Sequence, residues 1–276
     1  MLADLKVERD FEYSRPEADT ELMFVHRKLP SGEIYFVDNR KDRVENLDVT
    51  FRVEGKTPEL WHADTGKTEP VSYRMVDGRT TIPLHLDPND AVFVLFRKPT
   101  SNTNLSLPAL AEDIVATVDG LWSVNFQPDL GVSAKINIEK LTSWSDSSNQ
   151  GVKYFSGTAT YTKTIHAKGE WFKANTHLWL DLGSVKELTD VTLNGKPLGM
   201  VWKAPYRVDT RSALRRGDNR LTIKVTNLWV NRLIGDQQPN ISTKYTFTTF
   251  KPYRADSPLL PSGLLGPVQL LSVTPK

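Results

Sequence analysis

The sequence predicts an all-β protein made of two antiparallel β-sandwich domains, and three observations carry that expectation. Short runs rich in Val, Ile, Thr and aromatic residues recur along the chain, at 33–37, 47–53, 71–76, 91–97, 152–164, 177–182 and 221–227. Turn signals separate them: Pro30-Ser31-Gly32, Asp64-Thr65-Gly66, Asp77-Gly78, Asn194-Gly195 and Gly217-Asp218-Asn219. Helical periods are scarce, so strands and turns at this spacing point to sandwiches rather than to layers of helix and sheet.

The elements follow in order. Residues 1–19 are polar and irregular and read as a lead-in. They contain no apolar core, so they are not a secretory signal. Their abrupt entry into the strand-like stretch 21–29 reads as a piece cut at a domain boundary. Residues 20–98 hold about seven short strands, a small sandwich. Residues 99–110 carry Pro99 and Pro108 within a cluster of Ser, Thr and Asn, the composition of a linker. The second domain, 111–276, is longer. In its run around 158–165, Ala159, Tyr161, Lys163 and Ile165 share one face, and Thr158, Thr160, Thr162 and Thr164 share the other. That alternation marks a half-buried antiparallel strand. Leu180 and Leu182 alternate in the same way, and Asn194-Gly195 predicts a type I′ turn. One short helix is expected at 210–214, with Asp209 or Thr210 as its cap.

Composition excludes several classes of chemistry. The 276 residues include 35 Lys and Arg against 33 Asp and Glu, a net charge of +2. Such a balance supplies no electrostatic grip on nucleic acid or on a membrane surface. No apolar run approaches the roughly 20 residues needed to span a bilayer. With no cysteine, disulfides, thiolate metal sites and a thiol nucleophile are all ruled out.

A set of segments in the second domain carries a resemblance: KYFSGTATYTKTI (153–165), LWLDLGSVKELTDVTLNGKPLG (178–199), VWKAPYRVDTRSALRRGDNRLTIKVTNLWVNRLIGD (201–236) and LLPSGLLGPVQL (259–270). Their order resembles the sugar-binding domain of family 2 glycoside hydrolases, a galactose-binding-like jelly roll. VHRKLPSGEIYFVDNR (25–40), VTFRVEGKTPELWHADTG (49–66) and GLWSVNFQPDLG (120–131) extend it. They resemble the C-terminal region of α-L-rhamnosidase-like enzymes of glycoside hydrolase family 106. That resemblance implies a catalytic barrel preceding the sandwiches. It also implies a carbohydrate partner, a catalytic domain in the same parent chain, and a parent enzyme that is periplasmic or secreted. The family's catalytic acids sit on the barrel, so no catalytic residue is expected among these residues. No cofactor is expected either, although galactose-binding-like domains often hold a structural Ca²⁺.

Candidate binding residues cluster after the apolar strand that ends at Asn227. Asn231, Arg232 and Asp236 offer the amide, guanidinium and carboxylate groups that bridge sugar hydroxyls, and Trp229 offers a ring for an apolar sugar face. In the family 2 resemblance this loop carries an acidic residue that reaches the neighbouring barrel, and Asp236 stands at that position. The alternative is that these groups satisfy loop carbonyls and amides and lock a sandwich corner. Trp202 has the same two readings, a stacking platform or a core residue beside a turn proline. Trp122, Trp171 and Trp179 read as core or edge-strand residues, and Trp144, in a polar stretch, as exposed. His26, His62, His85, His166 and His177 show no metal-ligand spacing. Three functions follow: a non-catalytic accessory region of a glycoside hydrolase, an autonomous carbohydrate-binding module, and a small glycosidase with a site of its own.

Overall fold

The computed structural model describes residues 8–132, 135–239 and 241–275. The chain divides into two compact units, residues 1–108 and 109–276.

Among the described residues the first unit holds ten strands: β1 (Phe11–Tyr13), β2 (Leu22–Leu29), β3 (Gly32–Asn39), β4 (Glu45–Phe51), β5 (Lys56–Trp61), β6 (Thr68–Pro70), β7 (Tyr73–Val76), β8 (Arg79–Leu86), β9 (Ala91–Pro99) and β10 (Asn104–Leu105). Two five-stranded antiparallel sheets, ordered β1-β4-β8-β7-β10 and β2-β3-β9-β5-β6, enclose one core. Tyr35, Val37, Val49, Phe51, Ile82, Val94 and Phe96 have no exposed surface there. Each such side chain contributes roughly 1.5–3 kcal/mol through burial. The rings of Tyr35 and Phe51 meet edge to face at 4.7 Å.

Two expected boundaries shift. Part of the lead-in is folded into the sheet, because β1 pairs with β4 and Phe11 stacks on Phe24 at 4.4 Å. Asp10 adds a polar anchor, accepting from the Tyr35 hydroxyl at 3.1 Å and meeting His26 Nδ1 at 2.8 Å. The segment expected as a linker is also partly built in. Asn104 and Leu105 pair with Arg74 and Tyr73, and the first strand of the second unit begins at Leu110.

The second unit continues with β11 (Leu110–Thr117), β12 (Trp122–Phe126), β13 (Lys135–Ile138), the helical turn α1 (Gln150–Lys153), β14 (Thr158–Ala167), β15 (His177–Asp181), β16 (Ser184–Lys186), β17 (Leu188–Leu193), β18 (Lys196–Val201), β19 (Arg207–Asp209), β20 (Gly217–Thr226), the short helix α2 (Val230–Gly235), β21 (Gly263–Gly266) and β22 (Gln269–Pro275). A six-stranded sheet, β13-β12-β14-β20-β17-β18, and a four-stranded sheet, β11-β22-β15-β19, close over a second core. β14 and β20 run side by side over ten residues, from Thr158↔Thr226 to Ala167↔Gly217. The alternation read in β14 holds: Ala159, Tyr161 and Ile165 are buried, and Lys163 emerges at the margin to donate to the Leu121 carbonyl at 3.1 Å.

Three readings need correction here. Residues 152–157 belong to α1 and a loop, and the strand starts at Thr158. Residues 210–214 form a single hydrogen-bonded turn rather than a helix, because the Thr210 hydroxyl donates to the Leu178 carbonyl at 2.7 Å and ties it to β15. Trp144 is buried, 4% exposed, and its indole N–H donates to the Tyr161 hydroxyl at 2.6 Å. Its polar neighbours misled: Ser143 accepts from the Ser145 and Ser262 amides, so these serines serve the backbone rather than solvent. Gly263, at φ 95°, lets the chain pass so close that a Cβ there would lie 2.5 Å from the Trp144 indole nitrogen. Burial pushes the Tyr161 hydroxyl up to about 12.

Candidate sugar-binding edge

The end of the six-stranded sheet where β20 stops is organised by α2. Asn227 first pins the approach to β14, accepting from the Gly157 amide at 3.0 Å and donating to the Phe155 carbonyl at 2.9 Å. Ser156 then donates to the Leu228 carbonyl at 2.9 Å and accepts from the Arg232 amide at 3.2 Å. These bonds satisfy the backbone at the mouth of a helix whose N-cap residue, Trp229, supplies no side-chain cap. Gly235 completes the fit: a Cβ there would lie 2.6 Å from the Cβ of Tyr154.

The polar candidates point inward. Asn231 is fully buried, donates to the Leu260 carbonyl at 2.7 Å and accepts from the Leu260 amide at 2.8 Å. Arg232 Nε lies 3.0 Å from Asp236 Oδ1, and the two side chains are 3% and 2% exposed. This contact is an ion pair whose angle falls outside hydrogen-bond geometry. The Arg232 guanidinium also lies 5.0 Å from the Tyr245 ring centroid and 6.0 Å from that of Tyr154. The other Asp236 oxygen accepts from the Tyr245 amide at 3.0 Å and from the Thr246 amide and hydroxyl at 2.8 and 2.6 Å. Gln238 donates to the Ala255 carbonyl at 2.8 Å. α2 therefore serves as a peg on which the irregular segment 241–262 hangs, tied at 245–246, 255 and 260. Asn231 and one oxygen of Asp236 spend their hydrogen bonds on the chain itself, and Arg232 pairs with Asp236.

The aromatic candidates point outward. Trp202 is 57% and Trp229 54% exposed, so of the two readings of Trp202 the core residue beside Pro205 does not hold. They share one end of the sheet, since Val201 pairs with Thr189 while the adjacent Leu188 pairs with Thr226. Strands β18 and β20 are two steps apart, roughly 10 Å. Sequence reasoning overlooked their company: Leu188, Met200, Leu228 and Leu260 are exposed at the same end, and Phe247 and Phe250, at 90% and 76%, on the tethered segment. The available signal was the aromatic spacing of KYTFTTFKPYR (244–254), a run with no strand alternation.

Concavity at this end is slight. The crevice between Glu187, Leu228, Asn231 and Pro261 measures about 10 Å³, the space of about one water. A bound saccharide needs a few hundred Å³, so this end offers an edge and not an enclosed pocket. Among the described residues no three His, Asp or Glu side chains converge as a metal site.

Comparison with known proteins places both halves. Residues 1–75 match the family model for alpha-L-rhamnosidase of glycoside hydrolase family 106. Residues 141–254 match the model of the glycosyl hydrolase 2 galactose-binding domain-like family. A putative beta-glucuronidase of Formosa agariphila is 43% identical over 274 residues, covering 89% of this chain and 23% of that protein. The structure of a rhamnosidase from Novosphingobium sp. PP1Y superposes with a TM-score of 0.92 at 47% identity, covering 98% of this chain and 26% of that one. The chain thus spans about a quarter of the length of either relative.

Proposed function

We propose that this chain, which joins a family 106 rhamnosidase segment to a family 2 galactose-binding-like segment, is a non-catalytic accessory region of a larger glycoside hydrolase. Its role is to seat against a catalytic domain in the same parent chain and to lend an aromatic edge to carbohydrate binding. One observation carries this reading: Trp202 and Trp229 stand exposed on a corner where Asn231, Arg232 and Asp236 turn inward. Such a corner is rigid, apolar and incomplete, the character of a surface covered by another body. The relatives' additional length, about three quarters of each, supports a covering domain of the same polypeptide. Asn231, Arg232 and Asp236 are then positioning residues, and Trp202 and Trp229 are the ones that meet sugar or partner.

Acrylamide quenching of tryptophan fluorescence, resolved with Trp202→Phe and Trp229→Phe, tests the seating. Both residues should be open to quencher in the isolated chain and shielded in a polypeptide that also carries the catalytic domain. Equal quenching in both settings would overturn the proposal. The same two exposed rings also favour a second reading, an autonomous carbohydrate-binding module. Calorimetric titration of the isolated chain with rhamnose- and galactose-containing glycans separates the two, since only the module binds without its neighbour.

A further inference from the structure

The outer face of the six-stranded sheet carries a group of polar side chains away from α2. β14 lays Thr160, Thr162 and Thr164 beside Lys224, Thr222 and Arg220 of β20, and Ser123 of β12 beside Asn137 of β13. A shallow cleft of about 430 Å³ opens there, lined by Ser123, Asn137, Thr162, Thr164 and Arg220, with Leu121 and Lys163 at its margin. Thr162 is four residues along β14 from the α2 end, about 13 Å.

We propose that this cleft is a saccharide site for a glycan bearing an anionic group, a carboxylate or a sulfate. Its size suits one or two sugar units. Three hydroxyls and one amide line it, groups that both donate to and accept from sugar hydroxyls. One cation, Arg220, stands on the face that lines it, and no carboxylate does. The Arg220 guanidinium makes no hydrogen bond or ion pair among the described residues. The acid on its own strand face, Asp218, is held by His166 at 2.8 Å. Lys163 belongs to the core-facing side of β14, where its ammonium donates to the Leu121 carbonyl at 3.1 Å and lies 5.3 Å from the Trp122 ring centroid, so Arg220 is the cation that faces a ligand. No aromatic side chain lines the cleft, so a neutral sugar finds no stacking platform there. An anionic group facing the planar guanidinium supplies the missing directional contact, and its pairing is the stronger for being charge-assisted.

The test is a titration of the whole chain, followed by heteronuclear NMR, with three oligosaccharides of equal length: an oligouronate, a sulfated oligosaccharide and an uncharged one. The oligouronate or the sulfated ligand should bind, and whichever does identifies the anion. Shifts should centre on Ser123, Asn137, Thr162 and Thr164, and affinity should fall as salt is raised. Arg220→Gln, an exposed and structurally harmless change, should weaken binding about tenfold or more. Thr164→Val should weaken it by a smaller factor. Absence of binding by both anionic ligands, equal binding of the uncharged one, or unaltered affinity in Arg220→Gln would each overturn the proposal. Shifts confined to Trp202 and Trp229 would do so too, and would leave the reading of the α2 corner untouched.

Discussion

Arg232 and Asp236 face each other at 3.0 Å in the buried corner at the end of the six-stranded sheet, one helical turn apart, with almost no surface exposed. Two charges taken out of water are stable only while each has the other, because an uncompensated buried ion is very costly. The same aspartate holds the Tyr245–Thr246 backbone, so one side chain links core stability to the placement of an outer segment.

Asp236→Ala should therefore destabilise the second unit by about 3–5 kcal/mol, as expected when one partner of a buried pair is removed. A double change to apolar residues, Arg232→Met with Asp236→Leu, should recover much of that loss while leaving 245–246 untethered. Urea unfolding of the two variants measures the first effect, and hydrogen exchange at the Thr246 amide measures the second.

Trp202→Ala and Trp229→Ala should each alter unfolding free energy by less than about 0.5 kcal/mol, as exposed positions do. Trp122→Ala, at a residue 1% exposed, should cost about 3–5 kcal/mol. Denaturant titration of the three variants checks the contrast, and a large loss at either outer tryptophan would place it in the core.

Tyr161→Phe removes the acceptor of both the Trp144 indole N–H and the Leu264 amide, at 2.6 and 3.2 Å. Both donors are buried, so the change should cost about 1–3 kcal/mol despite its conservative shape. Thermal unfolding measured beside Tyr206→Phe, at a half-buried tyrosine, isolates the effect.

In the first unit, His62 Nε2 meets Glu69 at 3.0 Å. The hydrogen bond to Glu69 raises the histidine above its ordinary 6.5, and the same bond lowers the glutamate below 4.5. A raised histidine contributes stability that is whole below pH 6.5 and fades as pH climbs through the raised value. A lowered glutamate contributes stability that is whole above pH 4.5 and fades as pH falls through the lowered value. The pair should thus support the fold most between those limits. His62→Gln should lose more stability at pH 5.5 than at pH 8.5, and denaturant titrations at the two pH values read the difference directly.

Strand alternation made much of the fold legible, because a period of two in 158–165 assigns each side chain to a face before any partner is known. The lead-in and the linker segment were not legible, since Phe11, Asn104 and Leu105 are fixed by pairing with residues 30 to 40 positions away in sequence. Trp144 and Trp202 came out opposite to their local surroundings. Neighbouring serines gave no sign that they bond to Ser262, more than a hundred residues on, and Pro205 gave none that Trp202 lies outside the core. At the candidate edge, the residue types in 229–236 drew attention to this corner but did not reveal direction. Which side chains turn in depends on Leu260, Tyr245 and Ala255, all beyond the reach of local pattern.

Turnover by the isolated chain tests the central claim most directly. Purified residues 1–276, incubated with aryl α-L-rhamnosides and aryl β-glucuronides, should release no aglycone above a buffer control. Hydrolysis that scales with chain concentration and persists through successive purification steps would contradict a non-catalytic role and place a glycosidase site within these two sandwiches.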